Sequence, residues 1–191
     1  TPEMLEEIND QIDYLCTLRF TKEELNYLRS IRFIKNDYVE FLRLWHPIRE
    51  YVTTGLNKDG ELSVIVKGPL FSAMQFEIYL LEIVNEVYFR MHYDYATLEA
   101  SARERLEQKI RDFNSGKYTF AFAEFGSRRR LSRQWQDEVV RRLSTETKNC
   151  AGTSNVYLAW KYNLTPIGTY AHEFVQMCQG IDSIPLAYTN H

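Results

Sequence analysis

Cysteine is scarce in this chain. The 191 residues hold three, Cys16, Cys150 and Cys178, odd in number and far apart. Neither a disulfide framework nor a zinc-ligand spacing can be built from them, so a reducing, cytoplasmic setting is expected. A basic excess is missing too: the formal net charge is −3 and the isoelectric point about 5.9. General nucleic-acid binders are normally basic, so no nucleic-acid partner is expected, though a locally basic pocket stays open. Nor is there an uncharged run long enough to suggest a membrane partner. The nearest, Leu70 to Phe89, contains Glu77, Glu82 and Glu86, and carboxylates at bilayer depth are expensive. Repeats, low-complexity tracts and flexible linkers are absent, and no signal peptide is read at the start. Thr1-Pro-Glu-Met-Leu-Glu-Glu7 reads as a helix start without an initiator Met, and Leu186-Ala-Tyr-Thr-Asn-His191 ends without cap or breaker. Both ends are expected to be cuts within a longer protein.

What is present is enough apolar material for a sizeable core, 45% against 26% charged, an ordinary globular balance. Thirteen Tyr and 11 Phe are expected mostly to fill the core and its rim, with a minority free to stack on a flat ligand. Met4, Leu5, Ile8, Ile12 and Leu15 repeat at helical spacing behind Thr1 and Pro2, which predicts a first helix. Thr21 with Glu24 is a capping-box signature for a second, and a third runs from about Asp37 to the stop at His46-Pro47. Tyr51–Leu56 and Glu61–Lys67 flank the turn Lys58-Asp59-Gly60 and predict a hairpin ended by Gly68-Pro69. Leu70 to Phe89 is expected to form one buried central helix, and Leu98 to Phe113 an amphipathic one ended by Asn114-Ser-Gly116.

From there strands and helices alternate. Tyr118–Phe122 reads as a buried strand, followed by a loop over Glu124–Arg130 and a helix capped by Ser132. A turn at Ala151-Gly-Thr-Ser154 leads to a helix over Val156–Tyr162. Pro166–Thr169 then reads as a short strand and Ala171–Gln179 as a helix. Such alternation predicts an α/β class with parallel strands, after an α+β lead-in. A soft boundary near Asn114–Gly116 divides the chain into residues 1–116 and 117–191.

Three loops could carry chemistry: Glu124-Phe-Gly-Ser-Arg-Arg-Arg130, Gly152-Thr-Ser-Asn155 and Gly168-Thr-Tyr-Ala-His-Glu173. They lie roughly 20–30 residues apart, about one βα unit each, so in parallel architecture they meet where strands end and ligands bind. Arg128, Arg129 and Arg130 offer planar forks suited to phosphate oxygens; the alternative is a solvated charge run. Phe125 could stack on a heterocycle or plug the fold. Gly152, Thr153 and Ser154 resemble a short anion cradle, or a plain helix cap with Ser154 as the capping residue. His172 is a competent nucleophile toward phosphorus, although a lone histidine is more often a satisfied structural group. His46 and His92 have no comparable surroundings and receive no role.

Together, Phe122-Ala-Glu-Phe-Gly-Ser-Arg-Arg-Arg-Leu-Ser132, Gly152-Thr-Ser-Asn-Val156 and Leu164-Thr-Pro-Ile-Gly-Thr-Tyr-Ala-His-Glu-Phe174 resemble the nicotinate phosphoribosyltransferase family. Gly68-Pro69 before a long apolar helix matches as well, and the ordered set spans essentially the whole chain. The resemblance implies an N-terminal helical and hairpin domain followed by the first βα units of an α/β barrel-like domain, in a homodimer. It implies synthesis of nicotinate mononucleotide from nicotinate and phosphoribosyl pyrophosphate, coupled to ATP hydrolysis with Mg²⁺, in NAD biosynthesis. By the same resemblance Phe125 would stack on the pyridine ring and Arg128 would bind the phosphoribosyl part. Ser154, with the Gly152-Thr153 backbone, would line the nicotinate end, and His172 would be phosphorylated by ATP. The family's Asp-Thr-Asp-x-Tyr-Lys and Arg-His-Asp-Ser-Gly-Asp segments are not in this sequence, so the chain alone is expected to be inactive.

Two other readings stay open on the sequence alone. A nicotinamide-using enzyme of the same build would favour a carboxylate where Ser154 stands, because the amide supplies N–H donors. A non-catalytic helical interaction module would use Arg128–Arg130 as a patch for an acidic partner.

Overall fold

Local chemistry starts each of the first helices. In the computed structural model, which describes residues 1–169 and 171–180, helix α1 runs Pro2–Thr17 and the Thr1 side chain accepts the Met4 N–H. The end segment Leu186–His191 lies outside the described residues. Helix α2, Lys22–Ser30, carries the complete capping box: Thr21 accepts from Glu24, whose carboxylate accepts the Thr21 N–H. Helix α3, Asn36–Leu44, stops at Trp45, just before His46-Pro47. Strands β1, Val52–Leu56, and β2, Leu62–Val66, pair antiparallel with Val52 opposite Val66 and Leu56 opposite Leu62. Gly60, at φ 78°, supplies the left-handed residue that the tight connection needs.

The predicted single helix after Gly68-Pro69 is two. Helix α4, Leu70–Ala73, breaks at Met74-Gln75 before α5, Phe76–His92. Neither proline nor glycine marks the break. The expected full burial also gives way to a two-sided helix. Phe76, Leu80 and Val87 are buried, whereas Ile78 and Leu81 are 43% and 44% exposed. The buried side closes a core with Met4, Ile8, Ile12 and Leu15 of α1 and Val52 of β1. Full burial of Ile8 and Ile12 contributes about 1.5–3 kcal/mol each. A second cluster joins α2 to α3 through Leu25, Leu28, Val39 and Leu42.

Helix α6, Tyr95–Asn114, ends as read, with Gly116 at φ 79°. The next residues depart from expectation. Tyr118 to Ala121 are not in a strand; β3 is Phe122–Glu124. The aromatic run packs on Phe113 instead: Tyr118 and Phe120 lie 5.3 and 5.8 Å from its ring centre, and Phe122 stacks on it at 4.4 Å. Helix α7, Arg133–Glu146, opens on Ser132, whose hydroxyl accepts the Trp135 N–H. Trp135 and Leu143 then close a third core with Ala102, Leu106 and Ile110 of α6.

Most of the expected turn Ala151–Ser154 is strand instead: β4 runs Cys150–Thr153. It pairs parallel with β3, and Ala151 forms a one-residue bulge where the register shifts. A bulge of this kind gives the segment its irregular look in one dimension. Helix α8, Val156–Lys161, is capped by Asn155, which accepts the Leu158 N–H, and not by Ser154. Strand β5 is Thr165–Pro166, parallel to β4 and ending earlier than the expected Pro166–Thr169. Helix α9, His172–Gly180, comes next. The sheet order β3-β4-β5 gives the α/β class predicted, with all three strands parallel. Among the described residues no helix is long and apolar enough to cross a membrane.

Candidate functional site

Parallel register sets the last residues of the three strands side by side. Glu124 pairs with Thr153, and Thr153 pairs with Pro166. The chain therefore leaves all three strands at the same edge of the sheet: Phe125 after β3, Ser154 after β4, and Ile167–Thr169 after β5. Phe125 is 48% exposed at this edge, with its ring available to a flat partner. Ser154 is half-buried, and its N–H donates to the Glu124 carbonyl at 2.8 Å. The Ile167 N–H donates to the Thr153 carbonyl at 3.0 Å. His172, six residues past Pro166, is exposed and opens α9. Tyr170 and the Glu173 side chain lie outside the described residues.

Below the edge sits a polar layer that sequence reading missed. The buried Glu124 carboxylate accepts the Thr153 hydroxyl at 2.9 Å and the Gly126 N–H. Thr153 is itself fully buried, and its oxygen accepts the Asn155 N–H at 3.2 Å. The Asn155 amide donates to the buried Ser127 hydroxyl at 3.1 Å, tying the loop after β4 to the loop after β3. Gly126 has an ordinary φ of −85°, so glycine is needed there for space. A Cβ would lie 2.6 Å from Glu124 Oε1 and 3.3 Å from Gln136 Oε1. Buried polar groups are costly unless satisfied. All of this layer is satisfied except Gln136 Nε2, which has no partner among the described residues.

The Gly152 and Thr153 positions are thus strand positions first. Their place in β4 is set by the neighbouring strand, and the Thr153 side chain is committed to Glu124. Ser154 is the first residue of this stretch beyond the strand, at the open edge.

The arginine loop is organised from the other side, by α5. Arg128 Nη1 lies 2.7 Å from Glu77 Oε1, with both side chains partly exposed. Arg130 turns inward: Nη1 is 2.8 Å from Glu82 and Nε is 3.3 Å from Glu86. Glu86 also accepts the Arg133 N–H at the start of α7, at 3.1 Å. Asn85 donates to the Arg130 carbonyl at 2.9 Å. A solvated charge run therefore does not describe Arg130, although Arg129 is exposed and has no ion pair among the described residues. The three carboxylates that break the apolar run Leu70 to Phe89 are the partners of Arg128 and Arg130. Sequence carried a hint in the two charge sets, but 44 to 51 residues separate the partners.

Burial pushes the Glu82 carboxyl up to about 7, reinforced by the adjacent Glu86 and opposed by Arg130 and Arg133. A carboxyl raised in the folded state contributes most below its unfolded value near 4.5, and the contribution is lost as pH rises through about 7. Glu82→Gln, which stays neutral, should therefore gain stability relative to the parent between pH 5 and 8, by on the order of 3 kcal/mol at most. Urea denaturation at the two pH values reads this directly. An identical parent-to-variant difference at both would show that Glu82 ionises normally.

Parallel strands that end at one edge in an aromatic, a hydroxyl and the segment leading to a histidine define an α/β protein with its candidate site at that edge. Comparison with known proteins identifies the family. Residues 1–85 match the nicotinate phosphoribosyltransferase N-terminal domain, and residues 120–191 match the nicotinate phosphoribosyltransferase family. The chain belongs to the nicotinate phosphoribosyltransferase family. It is 44% identical over 187 residues to the nicotinate phosphoribosyltransferase of Acinetobacter baylyi, covering 94% of this chain and 46% of that protein. The Neisseria gonorrhoeae protein of the same name is 43% identical with the same coverage. Among solved structures, the Vibrio cholerae nicotinate phosphoribosyltransferase superposes with a TM-score of 0.85 at 31% identity, covering 97% of this chain and 47% of that one. The Porphyromonas gingivalis enzyme gives 0.81 at 28% identity, over 98% and 48%. The chain spans about half the length of the relatives it matches.

Proposed function

We propose that this chain is part of an ATP-coupled enzyme that makes nicotinate mononucleotide from nicotinate and phosphoribosyl pyrophosphate, in NAD biosynthesis. The observation that carries the reading is the shared edge of β3, β4 and β5, where Phe125, Ser154 and the segment leading to His172 emerge together. In this reading residues 1–116 belong to the N-terminal part and residues 117–191 open a barrel-like catalytic part, joined where Gly116 closes α6. The setting is the reducing cytoplasm, which suits the three free cysteines, and the working form is a homodimer.

Phe125 stacks on the pyridine ring and Arg128 takes an oxygen of the phosphoribosyl pyrophosphate. Ser154, with Gly152 and Thr153 holding it in place, faces the nicotinate carboxylate as a donor. Displacement of pyrophosphate at the anomeric carbon passes through a cationic, oxocarbenium-like state, so positioning and charge stabilisation account for most of the catalysis. The pyridine nitrogen attacks that carbon, the carbon–oxygen bond to pyrophosphate breaks, and no strong base is required. ATP acts at His172. Mg²⁺, a hard cation that dehydrates reluctantly, would enter on phosphate oxygens. Among the described residues no cluster of three or more His, Cys, Asp or Glu offers it a protein cage.

The test is turnover by the full-length protein of nicotinate, phosphoribosyl pyrophosphate and Mg²⁺-ATP, with chromatography of the mononucleotide. Arg128→Ala should raise the KM for phosphoribosyl pyrophosphate on the order of 10- to 100-fold, as expected for losing a hydrogen bond to a charged group. Ser154→Asp should shift preference from nicotinate toward nicotinamide, because a carboxylate accepts the amide N–H₂ and repels the carboxylate substrate. Absence of mononucleotide with the parent protein would end this proposal, and an unchanged acid-to-amide preference would remove Ser154 from it.

A further inference from the structure

Arg130 looks at first like a third phosphate ligand beside Arg128. Its geometry says otherwise. The guanidinium reaches two carboxylates one turn apart on α5, Glu82 at 2.8 Å and Glu86 at 3.3 Å, and its side chain is only 16% exposed. The residue's carbonyl is held by Asn85 from the same helix, and its N–H donates to the Ser127 carbonyl at 3.3 Å. Side chain and backbone of Arg130 are therefore both tied down, from two directions.

That contrasts with Arg128, two residues earlier. Its guanidinium meets one carboxylate, Glu77, where the two side chains are 47% and 30% exposed. Exposed pairs of this kind are weak and exchangeable, whereas two-carboxylate clamping of a planar guanidinium in a shielded place fixes its geometry. The short loop between β3 and Arg130 carries the ligand-facing groups. Phe125 precedes Gly126, and the 3-10 turn Ser127–Arg129 comes next with the Arg129 N–H on the Gly126 carbonyl at 3.0 Å. At its other end the loop is fixed by Glu124 in β3. A loop fastened at Glu124 and Arg130 has few conformations left, so Phe125 and Arg128 are aimed by their two anchors.

We propose that Arg130, clamped by Glu82 and Glu86 of α5, is a positioning residue that holds Phe125 and Arg128 in register with the sheet edge, without touching substrate. The inference rests on the substrate-binding roles proposed for Phe125 and Arg128. It assigns to α5 a role in the reaction that runs through an ion-paired clamp. Arg130 belongs to the enzyme's geometry and not to its anion-binding set.

The experiment is a double-mutant cycle on the full-length protein, with Arg128→Ala, Arg130→Met and their combination, read as the KM for both substrates and as hydrogen exchange over residues 125–130. Arg128→Ala should raise the KM for phosphoribosyl pyrophosphate alone. Arg130→Met should raise it about tenfold and raise the nicotinate KM as well, because both ligand-facing side chains move together. The double variant should be little worse than the worse single one, since contacts that share one anchor are not additive. Exchange of the loop amides should quicken while α5 stays protected. Arg130→Lys keeps the charge and should fold if Arg130→Met does not. It loses the fork that spans two carboxylates, so it should show the same pattern at a severalfold level. A folded Arg130 variant with both KM values unchanged, or effects that multiply fully with Arg128→Ala, would overturn the clamp. An unchanged KM for phosphoribosyl pyrophosphate in Arg128→Ala itself would instead overturn the underlying reading, and the two failures are read from different variants.

Discussion

Gly152→Ala should strongly destabilise the parallel sheet, whereas Gly55→Ala should leave stability unchanged or slightly raise it. Gly152 lies in β4 where the chain passes closest to β5. A Cβ there would overlap the Thr165 carbonyl oxygen and stand 2.9 Å from Ile167 Cδ1. The oxygen belongs to backbone, so it cannot swing aside as a side chain would. The residue's φ of 159° sits at the border of the region that residues with a Cβ rarely adopt. Backbone strain and overpacking of this sort cost about 1–3 kcal/mol each, so together on the order of 4 kcal/mol. Domains have only about 5–15 kcal/mol to lose. At Gly55 an added methyl meets nothing within 4 Å and φ is ordinary, so the substitution mainly restricts the unfolded chain. Urea denaturation of the two variants beside the parent separates the cases. A Gly152→Ala stability within about 1 kcal/mol of the parent would mean that β4 and β5 can part without consequence.

The same glycine shows where sequence reading fails. Gly152 in Ala151-Gly-Thr-Ser154 reads as a turn because glycine's commonest local use is conformational. Its use here is set by Thr165, thirteen residues on, and by the bulge at Ala151. Thr21 with Glu24, Ser132, Gly60 and the α1 stripe were all legible, because their partners lie within four residues or repeat at a fixed period. Tyr118 to Ala121 misled for the opposite reason. Aromatic runs favour strands, yet this one found Phe113 before it found a strand. The candidate site divides along the same line. Phe125, Ser154 and His172 could be picked out because each comes just after a strand or opens a helix. Glu124, Gln136 and the α5 carboxylates could not, because their roles exist only once β3, β4 and α5 come together. Arg128–Arg130 fell between, legible as cations but not as one exchangeable and one fixed arginine.

His172→Ala in the full-length protein should abolish the stimulation of transfer by ATP while leaving a basal reaction. The proposed step is attack of an imidazole nitrogen on the γ-phosphorus of ATP. The bond to the bridging oxygen breaks, ADP leaves, and the phosphoryl group stays on nitrogen until water takes it as phosphate. His172 is suited to this by position as much as by type. It is exposed, and it is the first residue of α9, where helix N–H groups present positive potential to an arriving anion. The chain reaches it directly from β5, whose neighbour β4 leads to Ser154 and whose second neighbour β3 leads to Phe125 and Arg128. In this proposal a phosphoryl group on the helix start biases the edge toward the conformer that binds substrate, and its hydrolysis in each turnover draws transfer toward product. Coupling of this kind amounts to about 1–3 kcal/mol, so roughly a 5- to 150-fold stimulation should disappear. Two measurements keep the outcome specific. Acid-labile label from γ-labelled ATP should appear on the parent and not on the variant, and the KM for phosphoribosyl pyrophosphate without ATP should be the same in both. Unchanged stimulation, or undiminished acid-labile label, would place the phosphoryl acceptor elsewhere. A rise in the KM without ATP would instead make His172 a substrate contact. The Arg130 clamp would be untouched by either result, because it acts on the β3 loop and not on α9.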